Sequence, residues 1–402
     1  FQAEDGIRDP LWSRGLGDVY KRQFLKMATI SVSGFLPFSN WHAAQHEKSF
    51  RSIAAFGGLN EPDQNGVMLP HGFRSRIVAR SGESPVSSSN YIWHPAPDGG
   101  ACYGTEDGGW IYVSNSEMRG GRGGVGALQF NSVGQKIDSY SILENTTLNC
   151  AGGPTPWGTW LSCEEFDRGQ VFECDPYGKV PAQVRPALGS FKHEAVTVDM
   201  INNKLYLTED LPDGGFYRFV PDKRLPDISS GDLEIASLVE RSGKNYLSWS
   251  KISDPTAADV PVRLQVESYA RFNGGEGIGF YKGQVFFTTK GDNRVWCYDT
   301  KTSEINIIYD FAKSDNAILS GVDNLTITPA GDVLVAEDGG NMQLIGITLN
   351  QNLIPIAQVV GHDRSEICGP AFNPSHNRLY FSSQRGETGS SQDGVIFEIS
   401  RV

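Results

Sequence analysis

Basic charge, long apolar runs and paired cysteines are all scarce in this chain, and each shortage removes a class of function. Lysine and arginine number 35 against 47 acidic residues, a formal net charge of −12 over 402 residues. Such a chain has no electrostatic surplus to draw it to nucleic-acid phosphates or to an anionic membrane surface. Apolar runs stop short of the ~18 residues that a membrane-spanning helix needs, so no membrane insertion is expected. Six cysteines include no C-x-x-C pair, which excludes a zinc ribbon or thioredoxin-type site, and they are too few for a disulfide scaffold. Familiar catalytic signatures are missing too. His193-Glu194 is followed by Ala-Val-Thr, so H-E-x-x-H fails at its last position. The run RGGRGGVG (residues 119–126) lacks the lysine and hydroxyl that end a P-loop and reads as a turn between strands. No G-x-S-x-G elbow or D-x-D-x-D-G calcium loop occurs.

Glycine, by contrast, is plentiful at 46 residues, with charged residues at only 20%, a balance that suits many tight turns and an all-β fold. Residues 1–23 have no apolar period and resemble the translation of a sequencing adapter, so they are set aside as an expected non-native or adapter-derived tail. Residues 24–44 begin Phe24-Leu25-Lys26 and continue with a mildly apolar stretch. They resemble the remnant of a twin-arginine export signal, which makes the mature protein periplasmic or extracellular. From residue 45 to 402 a single domain is expected, built on a repeat. A turn residue, three or four β-favouring residues and a polar end recur six times, ending at Glu117, Glu165, Asp210, Asp292, Asp338 and Glu387. The spacings are 48, 45, 82, 46 and 49 residues, and a period in the forties is the length of one four-stranded propeller blade. The predicted fold is therefore a six-bladed β-propeller, with an insertion at residues 221–272 between the third and fourth blades. The segment 72–82 carries apolar residues suited to an outer strand that pairs with the last blade and closes the ring.

A second register runs ahead of the first, where small or polar residues lead into an apolar strand. Equivalent positions in successive blades meet around the propeller axis, so residues scattered in sequence form a ring. The ring candidates are Asp98 or Gly100, Cys150, Glu194, Glu276, Asp323, and Cys368 or its neighbour Glu366. Carboxylates crowded in a channel repel one another and are costly to desolvate unless cations neutralise them, so the ring predicts a metal site. Oxygen ligands favour calcium or magnesium, whereas a cysteine thiolate among them points to an added transition metal, iron or zinc. In an oxidising compartment a Cys150–Cys368 disulfide is the alternative use of those two residues. Cys102, Cys163, Cys174 and Cys297 read as packing residues, and Trp157 and Trp160 as filler between blades.

The run Asn149-Cys150-Ala151-Gly152-Gly153-Pro154-Thr155-Pro156-Trp157-Gly158-Thr159-Trp160-Leu161-Ser162-Cys163-Glu164-Glu165 resembles the signature of the PhoX family of alkaline phosphatases. Phe191-Lys192-His193-Glu194, the segments at 206–210 and 216–220, and Glu366-Ile367-Cys368-Gly369-Pro370-Ala371-Phe372 agree with it. The resemblance implies an exported six-bladed propeller with an iron and calcium cluster in its channel, hydrolysing phosphate monoesters. It implies that Cys150 ligates iron and Glu194 iron or calcium, with Glu117, Glu164, Glu165, Glu209 and Glu276 as calcium or bridging ligands. Asp323 is added from the repeat register. The chain departs from the family pattern at Asn115-Ser116-Glu117, where Asn-His-Glu is expected, and at Gln384-Arg385-Gly386, where Gln-His-Pro-Gly is expected. Arg385, at the end of the last blade's central strand, is the candidate to clamp the phosphate. The expected partners are small phosphate esters, and the chain is expected to act as a monomer.

Overall fold

Short buried runs bounded by glycine turns are the local motif from which the molecule is assembled. The computed structural model describes residues 49–54 and 56–402, so the expected tail (1–23) and export-signal remnant (24–44) lie outside it. Each repeat recognised in the sequence is the second strand of a blade: Trp110–Ser116, Trp160–Glu164, Lys204–Glu209, Gln284–Thr289, Val333–Glu337 and Arg378–Ser383. These runs are buried almost throughout, as strands covered on both faces must be. Each pairs antiparallel with a preceding inner strand and a following third strand. The result is six antiparallel sheets of four or five strands, a six-bladed β-propeller with no α-helix among the described residues.

The core lies between blades as well as within them. Tyr112 of the first blade stacks on Tyr380 of the sixth with ring centroids 5.1 Å apart, and Trp110 Nε1 donates to Tyr380 Oη at 3.0 Å. Phe216 of the third blade stacks on Phe287 of the fourth at 4.5 Å. The ring is closed by Phe73–Arg80, which pairs antiparallel with the C-terminal strand Val395–Arg401 and supplies the sixth blade's outer strand. That closure was expected from residues 72–82, because a last blade lacking a partner would leave an open sheet edge.

Two details differ from expectation. Residues 221–272 are only partly a loop, since Gly231–Arg241 is the third blade's ordinary fourth strand and Lys244–Lys251 pairs outside it as a fifth. The remaining irregular stretch brings Arg263 to Glu209 at 3.3 Å and to Asp213 at 3.1 Å. The fourth and sixth repeats also end earlier than Asp292 and Glu387. The residues equivalent to Glu117, Glu165, Asp210 and Asp338 are Lys290 and Gln384, because these directly follow the second strands Gln284–Thr289 and Arg378–Ser383.

Candidate metal centre

The second residue of each inner strand is Asp98, Cys150, Glu194, Glu276, Asp323 or Cys368, one per blade. A register shift immediately follows in every blade, between Pro97/Gly100, Asn149/Gly152, His193/Val196, Gly275/Ile278, Val322/Leu325 and Cys368/Ala371. A bulge leaves a residue unpaired and re-aims its side chain, which frees Asp98, Cys150, Glu194, Glu276 and Asp323 from the sheet ladder, whereas Cys368 stays paired with Ser382. The choice between Asp98 and Gly100 falls on Asp98.

An outer ring follows the second strands: Glu117, Glu165, Asp210, Lys290, Asp338 and Gln384. Their equivalence rests on one repeated hydrogen bond. The backbone amide of each donates to the carbonyl of the residue ahead of its inner strand: Ala96, Leu148, Lys192, Gly274, Gly321 and Glu366 respectively.

Across blades these side chains converge. Ligand atoms lie within 4.8 Å of one another in four groups: Cys150 with Glu165 and Glu194; Glu194 with Glu276 and Asp323; Asp323 with Asp338 and Glu366; and Asp98 with Glu366 and Cys368. Glu194 and Asp323 each belong to two groups, as does Glu366. Burial raises the pKa of Asp98, Glu194, Glu276 and Asp323 well above the usual carboxylate range, and neighbouring carboxylates add to the effect. Burial also pushes Glu366 to about 8 and Glu165 to about 7, although Arg385 and Lys192 respectively oppose it. Glu194 is fully buried and its Oε2 has no hydrogen-bond partner, a costly state for a carboxylate unless a cation satisfies it. The residues therefore fit metal ions. The two all-oxygen groups suit a hard cation, and the Cys150 and Cys368 groups, each with a sulfur beside two carboxylates, offer a transition metal a thiolate.

Local sequence explains how these ligands are held. Asn115, buried on the first blade, donates to the carbonyls of Cys150 at 3.1 Å and Ala151 at 2.7 Å. Its own carbonyl oxygen accepts from Trp160 Nε1 and Ser162 Oγ. Much of the run around Cys150 is thus a clamp on that residue's backbone. The same device recurs at three more junctions, where Thr208 Oγ1 donates to the Glu276 carbonyl, Thr288 Oγ1 to that of Asp323, and Ser382 Oγ to that of Asp98. Gly153 permits the close approach of the inner strands, since a Cβ there would collide with the Val196 carbonyl oxygen. Asn324 closes the floor of the inner ring, donating to Asp323 at 2.9 Å and Glu194 at 3.5 Å and accepting from the Gly369 amide at 2.8 Å. Beyond that floor lies a cavity of about 180 Å³ lined largely by small residues and without carboxylates.

Three cations border the acids. Lys192 bridges Glu165 and Asp210 at 2.9 and 2.7 Å, Lys290 bridges Glu276 and Asp338 at 3.1 and 3.0 Å, and Arg385 meets Glu366 at 2.8 Å. The amide of Gln384 bridges Asp98 and Glu117 at 2.5 and 2.9 Å. Arg385 is anchored through its backbone: its amide donates to Ser365 Oγ, which meets Ser383 Oγ, which meets His362 Nδ1. Because Ser383 is fully buried, this serine and histidine chain supports Arg385 and offers no exposed nucleophile.

Two expected ligands have other work. Glu164 accepts from the backbone amides of Thr147 and Gln170, and Glu209 from the Gly215 amide, Tyr217 Oη and Arg263. Side chains alternate along a strand, so in Glu164-Glu165 and Glu209-Asp210 the second acid points to the channel while the first braces a loop. Glu337 does the same, accepting from Ser320 and Gln343 amides beside channel-facing Asp338. The disulfide alternative is not realised, for Cys150 and Cys368 are both free thiols. Asp338, Asp210, Lys192, Lys290 and Gln384 were not singled out as site residues from sequence, although Asp210 and Asp338 end two copies of the repeat.

Comparison with known proteins adds a family to this geometry. The fold resembles Pseudomonas fluorescens PhoX in complex with vanadate, a transition state analogue: TM-score 0.71, 16% identity, covering 86% of this chain and 98% of that one. It also resembles XC5397, a gluconolactonase from Xanthomonas campestris, with TM-score 0.50 and 11% identity over 87% of this chain and 99% of that one. At such identities the likeness concerns the fold. No curated protein matches the sequence. The family model for alkaline phosphatase PhoX, however, matches residues 113–170 and 166–386, a span that takes in Cys150, Glu194, Glu276, Asp323 and Glu366, and by that match the chain belongs to the PhoX family.

Proposed function

We propose that this chain hydrolyses phosphate monoesters at a cluster of calcium and iron ions held in the propeller channel. The observation that carries the proposal is the convergence of Cys150 and the channel carboxylates into linked groups with ligand atoms within 4.8 Å of one another. Cys150, Glu165 and Glu194 would hold iron, with Glu194, Glu276, Asp323, Asp338, Glu366 and Asp98 available to calcium. When bound, the ions supply Lewis acidity toward the phosphoryl oxygens. The chain's own groups position the ester. The Arg385 guanidinium, about a third exposed beside Glu366, has donors free to clamp phosphate oxygens. Its pKa stays raised by Glu366 and Glu117 despite burial, so it keeps its charge. Asn324, Thr208 and Thr288 hold the ligand strands in place before substrate arrives, which limits reorganisation during reaction. Family membership does not favour two other uses of such a ring, a calcium-only lactonase or phosphotriesterase and a non-catalytic binding propeller. The export-signal resemblance at residues 24–44 supports a periplasmic or extracellular setting for a phosphatase acting on small esters.

The test is elemental analysis and turnover of a chromogenic phosphomonoester. Cys150→Ala is expected to lose iron, Glu194→Gln to lose iron and calcium, and each to lower kcat at least ~100-fold while the protein stays folded. Full turnover in either variant, or activity of wild type stripped of all metal, overturns the proposal.

A further inference from the structure

The outer ring is acidic or amidic in five blades and cationic in one. Lys290 is not a slip in register, because its amide donates to the Gly274 carbonyl at 2.8 Å as the other five donate to their counterparts. The following turn fixes it further: Gly291 N donates to Asn273 O at 2.9 Å, and a Cβ on Gly291 would collide with the Asn273 side chain. From that position the ammonium lies 3.1 Å from Glu276 Oε1 and 3.0 Å from Asp338 Oδ2. Glu276 belongs to one ligand group and Asp338 to another, and the two groups share Asp323. The ammonium therefore stands between two sets of oxygen ligands, where a divalent ion would otherwise be the neutralising charge.

We propose that Lys290 is a resident protein counter-ion that takes the cation position between Glu276 and Asp338, so that the channel binds one divalent metal ion fewer than its carboxylates would otherwise hold. The proposal rests on the metal-centre reading above. Lys192 differs in kind, since it precedes an inner strand and so takes no ring position from an acid. A compact ammonium offers three donors and no acceptor, so it can crosslink Glu276 and Asp338 but cannot itself ligate a metal. Calcium at this place would need six to eight oxygens, and removing the ammonium leaves Glu276, Asp323 and Asp338 free to supply part of that shell.

The experiment compares the wild-type chain with Lys290→Met, Lys290→Glu and Lys290→Arg, each stripped with chelator, reloaded with calcium and counted by calorimetric titration and elemental analysis. Lys290→Met and Lys290→Glu are expected to take up one more calcium ion per chain than wild type, with a larger calcium-induced rise in Tm. Lys290→Arg is expected to keep the wild-type number. Wild-type metal content in both Lys290→Met and Lys290→Glu overturns the proposal. If that content accompanies lost turnover, Lys290 belongs to substrate binding instead. If Lys290→Met does not fold, Lys290→Glu decides, because it restores the acidic register of the other blades. A wild type that takes up no metal overturns the metal-centre reading and this proposal with it.

Discussion

The hydroxyl of Thr288 carries more of the site than its chemistry suggests. It reaches across a blade junction to the carbonyl of Asp323 at 2.6 Å, and so couples the placement of a channel ligand to the neighbouring sheet. Thr288→Val keeps the shape and removes the donor. A loss of about 1 kcal/mol of stability is expected from the missing hydrogen bond, with calcium affinity weakened by about 10-fold as for outer ligand partners generally. Lowered urea midpoint and calcium affinity, both restored by Thr288→Ser, are the checks. The adjacent acids Glu164 and Glu165 offer a sharper contrast. Glu164→Gln replaces an oxygen acceptor facing a backbone amide and is expected to lower stability at unchanged metal content, whereas Glu165→Gln is expected to lower metal content. Loss of metal in the first variant would return Glu164 to the ligand set.

At the scale of elements, the closing strand Phe73–Arg80 ties the start of the described chain to its end through the pairing with Val395–Arg401. Val78 on that strand is 1% exposed and packs in a cluster with Trp110, Tyr380 and Ile396, which spans the first and last blades. A charge placed there would be buried without a partner. Val78→Asp is expected to lose cooperative unfolding in urea and to aggregate through the freed edge of the last blade, whereas Val78→Ile should remain folded. A soluble, two-state Val78→Asp protein would mean that closure does not depend on this strand.

For the whole molecule, the acidic channel links metal, pH and stability. The folded protein holds Glu165 at about 7 and Glu366 at about 8, above the ordinary value of about 4.5 in the unfolded chain. Between those limits the folded state binds more protons than the unfolded state, so stability of the metal-free protein falls as pH rises from about 4.5 to about 8. Metal ions need the deprotonated ligands and replace the missing positive charge. The expected result is a metal-free Tm that declines over that window and a calcium-induced gain in Tm that grows over it. A pH-independent gain would contradict the linkage. The blade count, the closing strand and the inner ring were legible in the sequence, because strand length, turn residues and a period in the forties are local properties. Asp98, Cys150, Glu194, Glu276 and Asp323 share one register that alternation and repetition make visible. What only the tertiary structure decided is which of two neighbouring acids faces the axis, and where the cations stand among them. Glu164 and Glu165 differ by a single position, and that position is set by bulges and cross-blade hydrogen bonds formed when the sheets close. Lys290 took its place only when closure set Asp323 and Asp338 of the fifth blade beside Glu276 of its own, since its electrostatic neighbours come from two blades and no short stretch of sequence contains them all.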